Sequence, residues 1–132
     1  MYLSGPKMYN AMASSEKAGS KGSTRLHMDM SDALNIMTYA SPARDGSPGT
    51  AAWDLFRVED SDKIRAFLKD KFRGQFLHDP IHSQQIYLDE ALRRELWEKW
   101  NVISYRVYQK PGEAVFIPAG CAHQASSIPA LS

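Results

Sequence analysis

Residues 24–30 alternate between apolar and polar side chains. Leu26, Met28 and Met30 fall on one side of an extended strand, and Arg25, His27 and Asp29 on the other. Residues 33–39 (ALNIMTY) predict a second, more buried strand, and residues 51–58 (AAWDLFRV) a third. The pattern then changes period. Ile64, Phe67, Leu68 and Phe72 form one helical stripe, with Asp60, Ser61 and Asp62 as candidate caps, so a helix is expected over residues 63–72. Asp89 is placed to cap a second helix that carries Leu92, Leu96 and Trp100 along one side. Residues 102–109 (VISYRVYQ) read as a strand by β-branched and aromatic content. A Pro-Gly turn follows at Pro111 and Gly112, and then a short strand over residues 114–117 (AVFI) ended by Pro118. Residues 8–13 are a further candidate strand, and residues 14–23 and 41–50 have loop composition. Strands, a helical insert at about 60–100, then strands again suit an antiparallel β-sandwich or small barrel with helices at one side.

Length and composition narrow the classes. At 132 residues the chain is expected to form a single domain. The 43% hydrophobic content supports a packed core. Sixteen basic against fifteen acidic residues leave a net charge of +1, which gives no basis for direct nucleic-acid binding. The single cysteine, Cys121, excludes an intrachain disulfide framework and a four-cysteine zinc site. No apolar run approaches the roughly 20 residues of a membrane span, and the N-terminus lacks the layout of a signal peptide. A soluble, intracellular protein without membrane association is therefore expected.

The strand phase gives the histidines meaning. His27 and Asp29 share one face, and His123 stands just beyond the Pro118-Ala119-Gly120 turn. Two histidines and one carboxylate can hold Fe(II) on one face and leave the other open to a cosubstrate and O2. From spacing alone, a convergent triad and a set of scattered histidines remain equal alternatives. A 2-oxo acid cosubstrate would need partners for its distant carboxylate. Thr24, Asn35, Tyr39 and Tyr9 are the nearby polar candidates, although simple alternation turns Thr24 to the opposite face unless a twist or bulge intervenes. His78 and His82 flank Pro80 and suit a structural loop. Cys121 reads as a buried small hydrophobe, Trp97 and Trp100 as core or interface anchors, and Lys69-Asp70-Lys71 as a solvated helix face.

Longer ordered motifs carry a family resemblance. Gly5-Pro6-Lys7-Met8-Tyr9-Asn10-Ala11 precedes Ser23-Thr24-Arg25-Leu26-His27-Met28-Asp29-Met30-Ser31-Asp32-Ala33-Leu34-Asn35-Ile36-Met37. Asp79-Pro80-Ile81-His82, Tyr87-Leu88, Gly112-Glu113-Ala114-Val115-Phe116-Ile117-Pro118-Ala119-Gly120 and His123-Gln124 continue in the same order. Over roughly residues 5–125 the chain resembles the JmjC domain, and within it the histone H3 lysine demethylase group that includes hairless-type proteins.

The resemblance implies a mainly β fold, a double-stranded β-helix (jelly-roll, cupin-like) with the helical insert. It implies Fe(II) held by His27, Asp29 and His123, with 2-oxoglutarate as cosubstrate and Thr24 and Asn35 as residues of its pocket; Tyr9 is a further candidate from its nearby hydroxyl. The implied reaction is oxidative N-demethylation of mono- or dimethyl-lysine in the histone H3 tail, with loss of formaldehyde, in the nucleus. Another protein substrate fits the same chemistry.

The chain also departs from the family pattern. Ala51 stands where many members have Lys, Met12 where the family has Tyr, and Ala122 where a Pro is usual. After Gln124 it reads Ala-Ser-Ser-Ile-Pro-Ala-Leu-Ser. A partial domain over 1–132 is therefore expected, without the final strand and its Lys, and of low stability because an edge and an apolar inner surface would be left open. These departures keep a second reading in place, a non-catalytic JmjC-like interaction module that has lost 2-oxoglutarate binding.

Overall fold

The computed structural model describes residues 22–128. Six strands and two longer helices follow in order: β1 (Thr24–His27), β2 (Ala33–Ile36), β3 (Thr50–Leu55), α1 (Ser61–Lys71), α2 (Glu90–Trp100), β4 (Tyr105–Gln109), β5 (Ala114–Ile117) and β6 (His123–Ile128). A single 3-10 turn, Val58–Asp60, leads into α1. All strand pairs are antiparallel. The strands form a four-stranded sheet in the order β1-β6-β3-β4 and a two-stranded sheet of β2 and β5, so the described residues form no closed barrel.

The three layers explain the burial pattern. On β3, Ala51, Ala52, Trp53 and Asp54 are all buried, as expected of a central strand covered on both faces. Ala51 and Trp53 pack with Val115 and Ile117 of β5 and Ala125 of β6, which joins the two sheets. Phe56 and Leu26 instead join a second cluster with Ile64, Phe67, Leu68, Ile81, Leu88, Leu96 and Val102, which seats the helices on the opposite face.

The predicted helices form with small shifts. α1 begins at Ser61, two residues early, and the Asp60 side chain makes no cap hydrogen bond to the helix. Its carboxylate meets Arg57 and Lys63 instead. In α2 the Asp89 carboxylate accepts the Leu92 N–H at 2.9 Å, as the sequence predicts, and Asn101 closes the helix in the left-handed conformation. Asp89→Ala is expected to lower unfolding stability by about 1 kcal/mol, seen as a lower urea midpoint at unchanged slope.

Three strand expectations are corrected. β1 ends at His27, because Asp29 lies past the last rung of pairing with β6. β2 spans only Ala33–Ile36 and is not the more buried strand expected. Leu34 and Ile36 are exposed, since only its inner face is covered. The chain after His123, for which no strand is expected, forms β6 in the middle of the larger sheet. Its Ala125 and Ser126 are poor strand formers by propensity, but small side chains fit a position pressed from both faces. β6 brings no lysine. The candidate strand over residues 8–13 lies outside the described residues.

Two buried polar knots hold these layers. Asp54 accepts two hydrogen bonds from Arg106 (2.9 and 3.1 Å), one from Ser104 (2.8 Å) and one from Gln124 (2.9 Å). Gln124 also brackets Leu88, donating to its carbonyl and accepting from its N–H. On the other face, the Gln109 carboxamide accepts from the Trp53 indole at 2.9 Å and donates to the carbonyls of Asn35 and Glu113, each at 3.0 Å. Every member of the two knots is therefore partnered, the condition under which buried polar groups stabilise a fold rather than weaken it.

Candidate metal centre

The centre is assembled by the pairing of β1 with β6. His27 stands directly opposite His123 in the register, and their rings lie 4.1 Å apart. Asp29 is carried round by the loop beyond β1. Its Oδ2 lies 3.8 Å from His27 Nε2 and 3.6 Å from His123 Nε2. One donor atom from each of the three residues falls within 4.8 Å of the others. The two carboxylate–imidazole separations are shorter than twice a metal–ligand bond of about 2.1 Å, so one ion can lie between the carboxylate and each ring. Among the described residues no other group of three histidine, cysteine or acidic side chains converges in this way.

Both imidazoles are held by the same device. His27 Nδ1 lies 2.8 Å from the Arg25 carbonyl and His123 Nδ1 2.9 Å from the Cys121 carbonyl. A carbonyl oxygen only accepts, so each Nδ1 carries the hydrogen. In its neutral form each ring then presents a bare Nε2 toward Asp29. This is the tautomer a metal ligand needs. Two nitrogen donors and one carboxylate, with ring orientation fixed from behind, fit Fe(II) with open positions.

The surroundings are asymmetric. The His123 side chain is 3% exposed and that of Asp29 47%, so the centre is backed by core and opens toward solvent past the carboxylate. Trp53 supplies part of the backing, its ring 6.2 Å from that of His123. Burial pushes the His123 imidazole below the ordinary histidine value, and the adjacent His27 adds to this. The Cys121 carbonyl and Asp29 pull the other way without reversing it. As pH falls through about 6.5, the unfolded chain takes up a proton here that the folded chain refuses, so the metal-free protein loses stability. Urea unfolding at pH 7.5 and 5.5 should show this loss, with a smaller difference in His123→Gln.

The cosubstrate candidates are placed unevenly. Thr24 pairs with Ala125 and His27 with His123, so three residues of β1 span two of β6. Directly opposed residues share a face. This bulge therefore brings exposed Thr24 to the same side as His27, which alternation alone does not. Asn35 lies on the inner side of β2, opposite Val115, and its side-chain oxygen accepts from Gln109 at 3.2 Å. Tyr9 lies outside the described residues. Tyr39 is 74% exposed. Gln109 is a buried inner-face residue that the sequence pattern does not mark. Its one signal is a polar residue in phase with Tyr105 and Val107, at a position the register assigns to the interior.

The remaining candidates sort simply. His78 and His82 are exposed in an irregular segment, with Asp79 capping the Ile81 and His82 N–H groups. Cys121 is buried, and its thiol donates to the Phe56 carbonyl. Trp100 packs edge-on to Phe67, whereas Trp97 is 58% exposed. No helix among the described residues is long and apolar enough to cross a membrane.

A family model described as "JmjC domain, hydroxylase" matches residues 18–129. The chain belongs to the JmjC family. Relatives of this JmjC chain include lysine-specific demethylase 3 of Drosophila melanogaster, 38% identical over a match covering 94% of the chain and 18% of the relative. Lysine-specific demethylase 3A of Homo sapiens is 36% identical, covering 94% and 12%. Lysine-specific demethylase JMJ29 of Arabidopsis thaliana is 29% identical, covering 94% and 21%. The JmjC chain thus spans about a fifth or less of the length of these relatives. The three matches run over 159 to 184 positions against 132 residues here, so the relatives carry insertions relative to it.

Proposed function

We propose that the chain is an Fe(II)- and 2-oxoglutarate-dependent dioxygenase domain of the histone lysine demethylase type. Its substrate is mono- or dimethyl-lysine in the histone H3 tail, and its place of action the nucleus. The observation that carries this reading is the convergence of His27, Asp29 and His123, with both imidazoles locked Nε2-inward by backbone carbonyls. The names of the relatives supply the substrate class, a methylated lysine. On this reading the two packed sheets are parts of a double-stranded β-helix, and the chain is one JmjC domain with its helices inserted between β3 and β4.

The roles of the residues follow from their surroundings. His27, Asp29 and His123 are the ligands. Iron, 2-oxoglutarate and O2 together supply the oxidising step that hydroxylates an N-methyl group, which then leaves as formaldehyde. Burial lowers the His123 pKa, so a proton competes less well for its Nε2. Trp53 and the inner apolar cluster keep water from the core side. Methyl-lysine enters past the half-exposed Asp29, the open side of the centre. Thr24, on the ligand face of β1, is the hydroxyl placed to meet the cosubstrate, with Asn35 and Tyr9 as further residues of its pocket.

One observation favours a second reading. The described inner-face positions of both sheets include Ala51, Asn35, Gln109 and Ser127, and none is lysine or arginine. The described inner-face positions thus give the distant carboxylate of 2-oxoglutarate no charged partner, as in a module that binds metal without turning over. Turnover separates the two readings. With Fe(II), 2-oxoglutarate and dimethylated H3 peptide, the catalytic reading expects succinate and formaldehyde in equal amounts, lost in His27→Ala. Product formation that survives His27→Ala would remove the site from the reaction.

A further inference from the structure

We propose that Asp32 is a positioning residue for the metal centre, clipping the turn ahead of His123 to the loop that carries Asp29. The proposal rests on the metal reading above. The β1–β6 ladder explains how His27 meets His123, but its last rung is that pair. Asp29 lies beyond it, in no strand and half exposed, so sheet hydrogen bonds do not set its position.

Two other hydrogen bonds do. The Gly120 N–H donates to the Asp29 carbonyl at 2.9 Å. The Ala119 N–H donates to Asp32 Oδ1 at 2.7 Å, across 87 residues of sequence. The receiving turn is preset: Cys121 N–H closes onto the Pro118 carbonyl at 3.1 Å, and Gly120 adopts φ +77°, a conformation that favours glycine. From that turn the path to the other ligand is short, because the Cys121 carbonyl holds His123 Nδ1. Asp32 therefore touches no ligand atom, yet it fixes the one segment that holds Asp29 by its backbone and His123 by its ring. An exposed aspartate that merely capped its own loop would accept from a neighbour in sequence. This one reaches the far ligand's segment.

Losing a group that orients a metal ligand typically costs about 10–100-fold in affinity. The test uses Co(II) as the probe and the whole chain, comparing wild type, Asp32→Ala, Asp32→Asn and His123→Ala by titration and by the visible spectrum at saturation. Asp32→Ala is expected to bind Co(II) 10–100-fold more weakly and with an altered spectrum, since the turn that holds Asp29 is no longer clipped in place. Asp32→Asn, which keeps the side-chain oxygen acceptor, is expected to stay within a few-fold of wild type.

Wild-type affinity and spectrum in Asp32→Ala would overturn the proposal. So would an Asp32→Asn variant as weak as Asp32→Ala, which would assign the effect to charge rather than to the clip. An Asp32→Ala chain that no longer folds by circular dichroism would assign Asp32 to general stability, and also overturns it. Failure of the wild type itself to bind Co(II) more tightly than His123→Ala would instead overturn the metal reading, so the two failures are distinct.

Discussion

His123→Ala is expected to abolish metal uptake. The expected loss of Fe(II) affinity exceeds the roughly 10–100-fold typical of removing a group that only orients a ligand, because a donor itself is gone. The remaining pair, His27 and Asp29, lies toward the open side of the site, where water competes for the ion. An anaerobic Fe(II) titration measures the effect, and circular dichroism checks that the sheet survives the small cavity left beside Trp53. Asn35→Ala is the matched comparison. Its side chain contacts Gln109 rather than the centre, so Fe(II) affinity should stay within a few-fold while 2-oxoglutarate affinity falls.

The second large effect is on folding. Asp54 is 1% exposed and is the shared acceptor for Arg106, Ser104 and Gln124, with Arg93 at 3.7 Å. Asp54→Ala leaves the half-buried Arg106 guanidinium without its carboxylate, and breaking such a pair from one side costs about 3–5 kcal/mol. Small domains hold only about 5–15 kcal/mol in total, so the variant should be largely unfolded or unfold at a much lower denaturant concentration. Adding Arg106→Leu should recover part of the loss, because the guanidinium that has lost this carboxylate goes with it. A double-mutant cycle in urea measures that recovery. The consequence reaches the site through β6, since Gln124, which donates to Asp54, is the chain neighbour of His123.

The legible parts of this chain were those with local causes. α2 follows from Asp89 and the Leu92, Leu96, Trp100 spacing, and β5 from its apolar run between a Pro-Gly turn and Pro118. The approach of Asp29 to His27 does not follow from strand phase, because the ladder stops at His27 and a loop carries Asp29 round. The rest depends on partners far away in sequence. Thr24 reaches the ligand side only through a bulge set by pairing with β6, about a hundred residues on, and no window around Thr24 contains that information. β6 is hidden because Ala125, Ser126 and Ser127 lack strand propensity and owe their conformation to neighbours on both sides. Gln109 and Asp32 look like ordinary polar residues at a strand end and in a loop until the register shows what they face. The candidate ligands are a recognisable donor set by their chemistry, but spacing alone leaves a convergent triad and scattered histidines as equal alternatives.

The most direct test of the Fe(II) and 2-oxoglutarate assignment is titration of 2-oxoglutarate into oxygen-free protein loaded with Fe(II), followed by visible absorption. One Fe(II) per chain and a saturable absorption band that requires both components are expected, and neither in Asp29→Ala. Undiminished Fe(II) binding and an unchanged band in Asp29→Ala would contradict the assignment.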